Sequence, residues 1–224
     1  MNPRNDDRAP HPQNPHAQGL PLRGNSRAPR RVILASHLVF TGYAHWFPND
    51  PRGSGSNEIR KDELKPLGDI LPGRQFPQPP RDELKQFFRE GEQRIEHERL
   101  WFREKHRDAI AHAFGTAAKQ HRYTLWACAI CSNHAHLVAR THRDRSETIW
   151  NHLAVASVLA LRALNLFPPD HPVWSHRPYK VFLYSPSDVT SRIDYVNDNP
   201  GKEGLPRQHW TFVQECPLPR EGQA

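Results

Sequence analysis

A chain of 224 residues carrying only three cysteines, a net charge of +7 and a pI of about 9.6 has room for one decorated domain but not the makings of a disulfide framework. It has no run near the roughly 18 apolar residues a membrane span needs and no apolar signal-type stretch at its start, so the expectation is a cytoplasmic protein with no membrane partner. The basic balance favours a polyanionic partner.

Met1 to Arg30 is rich in Pro, Asn and Arg with almost nothing to bury, and is expected to be a disordered basic arm (1–30), either a loose nucleic-acid contact or an inert extension. Arg31 to Tyr43 is β-branched and aromatic and reads as a first strand. The stretch Trp46-Phe47-Pro48-Asn49-Asp50-Pro51-Arg52-Gly53-Ser54 then forms a loop. Its aromatic pair either caps the core or, with Arg52, stacks on unpaired nucleic acid.

Residues 58–106 read as an insertion. Glu58 to Pro80 is polar and irregular, and Asp82 to His106 is helical through Leu84, Phe87, Phe88, Ile95 and Phe102. Arg107 to Arg122 is a second helical stretch with an apolar face of Ile110, Ala113, Phe114 and Ala117. The two are compatible with one bent helix or with a helical hairpin.

Tyr123 to Ile130 and His134 to Val138 read as two strands joined by a Cys131-Ser132-Asn133 turn. Residues two apart on a strand share a face, so His134 and His136 point the same way while Ala135 and Leu137 point towards a core. Two imidazoles on one face are half of a divalent-metal site, although fifteen histidines make accidental pairs common. Cys128, Cys131, His134 and His136 also read as C-x-x-C-x-x-H-x-H, a structural-zinc alternative. Against it, the two cysteines fall on opposite faces of a regular strand.

Asp144 and Ser146 are candidate caps for a helix Glu147 to Leu166, with Ile149, Leu153, Val155, Leu159 and Leu164 available for packing. Tyr179 to Tyr184 is a fourth strand. Ser187 or Asp188 caps a last helix from Val189 to Asn199, stopped by Pro200. The order β-α-β-β-α-β-α predicts an α+β, ferredoxin-like antiparallel sheet with helices returning over one face, spanning 31–213, with a flexible tail at 214–224.

The last helix carries Tyr195 and Asn199 four residues apart, on one helical face. A tyrosine there, next to two histidines, suggests a phenolic nucleophile, and the Asn199 carbonyl a third, oxygen ligand. A core role is the alternative, but Asp194, Asn197 and Asp198 make the surroundings polar, and Ile193 and Val196 are better core candidates.

NHAHLV (133–138) resembles the HUH motif of single-tyrosine transposases, and YVNDNPGKEGL (195–205) resembles their Y-x-x-x-N-P helix. The form most like it is that of the REP-associated tyrosine transposases. HWFPNDPRGS and PVWSHRPYKVFLYSPSDV resemble further stretches, so the resemblance runs from about Arg31 to Val213. Cys131-Ser132 stands where members often carry Met-Pro.

The resemblance implies a nicking and joining enzyme for single-stranded, hairpin-containing DNA in a bacterial cytosol or nucleoid, with a homodimer as one possible assembly. Tyr195 would attack a phosphorus, expel the 3′-oxygen and keep a 5′-phosphotyrosine bond. An ordinary phenol, with a pKa of about 10, needs help at neutral pH. A divalent ion on His134, His136 and Asn199, with Mg or Mn the expected metal and Zn also compatible, would supply it. Arg52, Arg177, Lys180 and Lys202 are candidate phosphate contacts. The competing expectation is a domesticated hairpin-binding protein that does not cut. A Tyr195 ring inside the apolar interior, or across the sheet from the histidines, would exclude the nuclease reading.

Overall fold

The computed structural model describes residues 31–175 and 179–219. The expected basic arm (1–30) and Arg177 lie outside them. Four strands form one sheet: β1 (Ala35–Thr41), β2 (Leu125–Ile130), β3 (His134–Arg140) and β4 (Tyr179–Leu183), in the order β2-β3-β1-β4 with all pairings antiparallel. This is the predicted α+β, ferredoxin-like arrangement, with β3 between β2 and β1.

Each strand divides its residues between two cores. Leu38 and Phe40 of β1 stand opposite Leu137 and Ala135 of β3. This face packs against α2 (Glu104–His121) and α3 (Ser146–Ala163) through Ile110, Phe114, Ile149 and Leu153. Ala35 of β1, Ala127 and Ala129 of β2, Val138 of β3 and Leu183 of β4 face the other way. There Val189, Ile193 and Val196 of α4 (Pro186–Lys202) cover them. The crossover helices thus share one face as expected, while the helix after the last strand lies on the other. With both faces covered, β2 is buried along its whole length.

Residues 58–106 make neither a bent helix nor a hairpin with α2. A 3₁₀ helix (Asp62–Leu67) and α1 (Arg81–Glu92) build a small core of their own, in which Leu64, Phe87 and Phe88 surround Phe47 and Ala44. Gly91 belongs to that packing, because a Cβ there would lie 2.4 Å from Phe47. The chain then runs without helix to α2, held by Leu100 N–H to the Tyr43 carbonyl (3.2 Å) and Phe102 N–H to the Ser132 carbonyl (2.6 Å).

Three boundary expectations are corrected. Neither Asp144 nor Ser146 caps α3: Arg145 occupies the N-cap without a side-chain bond, Asp144 accepts from the Tyr123 hydroxyl, and Ser146 bonds Ser36. The cap of α4 is Ser185, whose Oγ accepts from Asp188 N–H while the Asp188 carboxylate accepts from Ser185 N–H. Pro200 sits inside that helix's last turn, so α4 continues to Lys202. Within the stretch expected to be a tail (214–224), Gln214 N–H bonds the Leu125 carbonyl and Cys216 and Leu218 pack on the α4-side core.

Candidate active site

The β2–β3 turn is held from three directions. Cys131 N–H bonds the His134 carbonyl (2.8 Å), Gly42 N–H at the end of β1 bonds the Asn133 carbonyl (2.7 Å), and Phe102 N–H takes the Ser132 carbonyl. From α4's end, Glu203 Oε2 accepts from Ser132 N–H (2.8 Å) and Ser132 Oγ–H (2.7 Å). The turn therefore delivers His134 and His136 to the α4 side of the sheet in a fixed register. Their ring centroids lie 4.6 Å apart.

Each imidazole is oriented through Nδ1. His134 Nδ1 lies 2.6 Å from Asn133 Oδ1 and 3.7 Å from Glu203 Oε1, and His136 Nδ1 lies 2.9 Å from His37 Nε2. Among the described residues, Nε2 of neither ring has a hydrogen-bond partner. Facing an amide oxygen, His134 Nδ1 carries the proton and its Nε2 offers a lone pair to a metal; His136 takes the same form when its Nδ1–H donates to His37 Nε2. Burial lowers the pKa of His134, and lowers that of His136 to about 2, helped by His134, His37, Lys202 and Arg192. Both rings are therefore neutral at neutral pH, the form that binds metal.

His37, two residues before the point on β1 facing His136, escaped the sequence reading. Its ring stacks on His136 with centroids 5.0 Å apart, and burial brings its pKa down to about 4. No motif announces it; only the strand register, Val39 opposite His136, does.

Helix α4 lays Val189, Ile193 and Val196 on the sheet and so turns Tyr195 towards the histidines. The Tyr195 ring is 41% exposed, with its centroid 5.7 Å from His136 and 6.0 Å from His37, edge-on to both. Lys202 Nζ lies 4.1 Å and the Arg192 guanidinium 5.2 Å from the ring centroid. The ring is thus neither inside the apolar core nor across the sheet. Asn199 is buried, and its Nδ2 donates to the Tyr195 carbonyl (2.6 Å), so Oδ1 is the side-chain atom it could offer a metal.

Glu203 was also missed, although it follows Tyr195 and Asn199 at the same spacing of four. Ligand atoms of Glu203, His134 and Cys131 all lie within 4.8 Å of one another. One imidazole, a carboxylate and a thiol make up that group; His136 is not part of it, although its ring centroid lies 4.6 Å from that of His134. Imidazole and carboxylate donors suit a hard or intermediate divalent ion. Burial, then Glu203, pushes the Cys131 thiol up to about 12. Cys128 stands opposite Leu137 in the α2/α3-side core, away from the histidines, so the four-residue zinc alternative is not assembled.

Of the expected phosphate contacts, Lys202 joins the site. Arg52 is committed elsewhere, with Nη2 2.7 Å from the buried Asp50 carboxylate and its guanidinium 4.4 Å from the Trp46 ring centroid. Lys180, opposite Leu38 on the α2/α3 face, pairs with Glu147. Strand alternation takes it away from the histidines.

No family model matches the chain, and no curated protein matches it. Among solved structures, it is similar to a REP-associated tyrosine transposase bound to a REP hairpin, with 13% identity, a TM-score of 0.41, and coverage of 79% of this chain and 74% of that one. At so low a score the functional reading rests on the site residues and their geometry.

Proposed function

We propose that this chain nicks and rejoins single-stranded, hairpin-containing DNA through a covalent 5′-phosphotyrosine, in the manner of the HUH tyrosine transposases whose motifs it resembles. The observation that carries the reading is the half-exposed Tyr195 ring standing edge-on to His37 and His136, on the sheet face that presents His134.

In this reading the phenolic oxygen attacks a backbone phosphorus and its proton passes to solvent. The bond to the 3′-oxygen breaks, that oxygen leaves protonated by water, and the new tyrosyl ester conserves the energy for rejoining. Lys202 and Arg192, beside the ring, favour the charge that develops on the attacking oxygen and neutralise the flanking phosphate. His134 and His136 would hold a divalent ion, Mg or Mn, with Asn199 Oδ1 or Glu203 completing the set. Such an ion, when bound, polarises the scissile phosphate. His37 holds His136 in the ligating tautomer through the 2.9 Å contact, and Glu203 fixes the turn that carries His134.

The test is incubation with Mn and labelled single-stranded hairpin oligonucleotides drawn from repeats near the protein's own gene. The expected product is a protein–DNA band that survives denaturation. Tyr195→Phe removes it and leaves binding nearly unchanged. An adduct that persists in that variant takes Tyr195 out of the chemistry, and binding without any adduct leaves a hairpin-binding protein that does not cut.

A further inference from the structure

We propose that Trp101 is a stacking platform for one unpaired nucleobase of the strand held at Tyr195, an inference that rests on the nuclease reading and supplies it with a base contact. Trp101 is 52% exposed, whereas Leu100 and Phe102 on either side of it are 4% and 2% exposed. Those two neighbours are pinned: Leu100 by its N–H to Tyr43 and by its carbonyl, 2.6 Å from His45 Nε2, and Phe102 by its N–H to Ser132. The chain thus holds a rigid backbone on both sides of an indole it does not bury.

The position is tied to the site by contact. The Trp101 ring meets His45 at 4.5 Å, 79° from coplanar; His45 Nδ1 lies 3.4 Å from Asn133 Nδ2; and Asn133 Oδ1 lies 2.6 Å from His134 Nδ1. An exposed indole three contacts from a metal-ligating imidazole is within reach of a nucleotide next to the scissile phosphate. Arg103 and Lys105, both exposed just beyond it, carry the charge that a phosphate backbone attracts. Trp46, also partly exposed, is a poorer platform because the Arg52 guanidinium already lies over its ring.

A flat, immobilised aromatic surface with open solvent beside it fits a base lifted out of its stack. Such contacts tolerate any sequence, because every base has a π face. The insertion that carries Trp101 would then add substrate grip, which the histidines and the tyrosine alone do not provide.

The experiment uses the full chain carrying Tyr195→Phe, so that DNA stays uncleaved, and reads anisotropy of a labelled hairpin with single-stranded flanks. Abasic sites are walked through the flanks. With Trp101 present, one abasic position should weaken binding about tenfold. Trp101→Ala should weaken the intact strand by about the same factor and abolish sensitivity at that position. Trp101→Phe should restore both, while Trp101→Leu, which keeps apolar bulk without a π face, should not. The leucine variant decides the matter if the alanine variant fails to fold. Unchanged binding in Trp101→Ala or Trp101→Leu, or equal loss at every abasic position, overturns the proposal. Loss of the tyrosine adduct in the parent chain, with abasic sensitivity retained, removes the nuclease reading and leaves the platform standing. Absence of single-strand binding overturns both.

Discussion

At the scale of single residues, the proposed metal site sets Asn199 against Glu203 for the third ligand position. Asn199 would offer one amide oxygen, since its Nδ2 donates to the Tyr195 carbonyl, whereas Glu203 would offer a carboxylate grouped with Cys131 and His134, its Oε1 3.7 Å from His134 Nδ1 rather than from Nε2. Charge favours Glu203, since a carboxylate outbids an amide for a hard cation. Glu203→Gln keeps an oxygen to accept from Ser132 but loses the charge. It should weaken Mn binding, read by calorimetric titration, at least tenfold with little change in metal-free melting. Asn199→Ala should cost less; the reverse ranking would return the ligand role to Asn199. Strand period put His134 and His136 on one face and helix period put Tyr195 with Asn199 on another, but that the two faces meet was implied only by the resemblance of the two motifs. His37 was not legible, because a lone histidine on a strand carries no pattern until the β1–β3 register aligns it with His136.

At the scale of elements, the site depends on the β2–β3 turn being wedged between β1, the segment around Phe102 and the end of α4. Gly42 is where the wedge is tightest: a Cβ there would lie 2.7 Å from the Asn133 carbonyl oxygen and 3.3 Å from the His45 ring. A backbone oxygen cannot swing aside as a side chain can. Gly42→Ala should therefore destabilise the protein by about 1–3 kcal/mol, seen in urea unfolding, and reduce adduct formation through displacement of His134. Gly55→Ala, whose Cβ would meet nothing within 4 Å, is the control and should change neither. The four strands and their antiparallel, ferredoxin-like arrangement were readable from sequence, but the number of helices before β2 and the buried face of α3 were not. That helix is apolar on more than one side, so Val155 and Leu159, expected to pack, are exposed while Trp150, Ala154 and Leu161 are buried. The segment between α1 and α2 was misread as helix because long-range bonds to Tyr43 and Ser132, invisible to any local window, hold its end in a non-helical course.

For the whole molecule, burying neutral imidazoles couples stability to pH. Burial first, then Arg192, lowers the His37 pKa from 6.5 to about 4, and burial, outweighing the bond to Leu100, brings His45 to about 4 as well. His136 goes further, to about 2. A group whose folded pKa lies below its unfolded value binds protons more readily in the unfolded chain. Its contribution is therefore intact above pH 6.5 and is lost as pH falls towards the folded pKa. At roughly 1.4 kcal/mol per pH unit, His37 alone, 2% exposed, should remove on the order of 3 kcal/mol between pH 6.5 and 4. The others add to it, and because a domain is stabilised by only about 5–15 kcal/mol in total, the protein should become acid-labile while still well above the carboxylate range. Urea midpoints in the presence of a chelator, which keeps metal from competing with protons for His134 and His136, should be level above pH 7 and fall steeply from pH 6.5 to 4. His37→Gln, which cannot take up a proton, should make that fall shallower. Midpoints that stay level down to pH 5 in the unaltered protein would mean that the histidines accept protons without unfolding, and that the cluster around Tyr195 is open to water rather than held dry against the sheet.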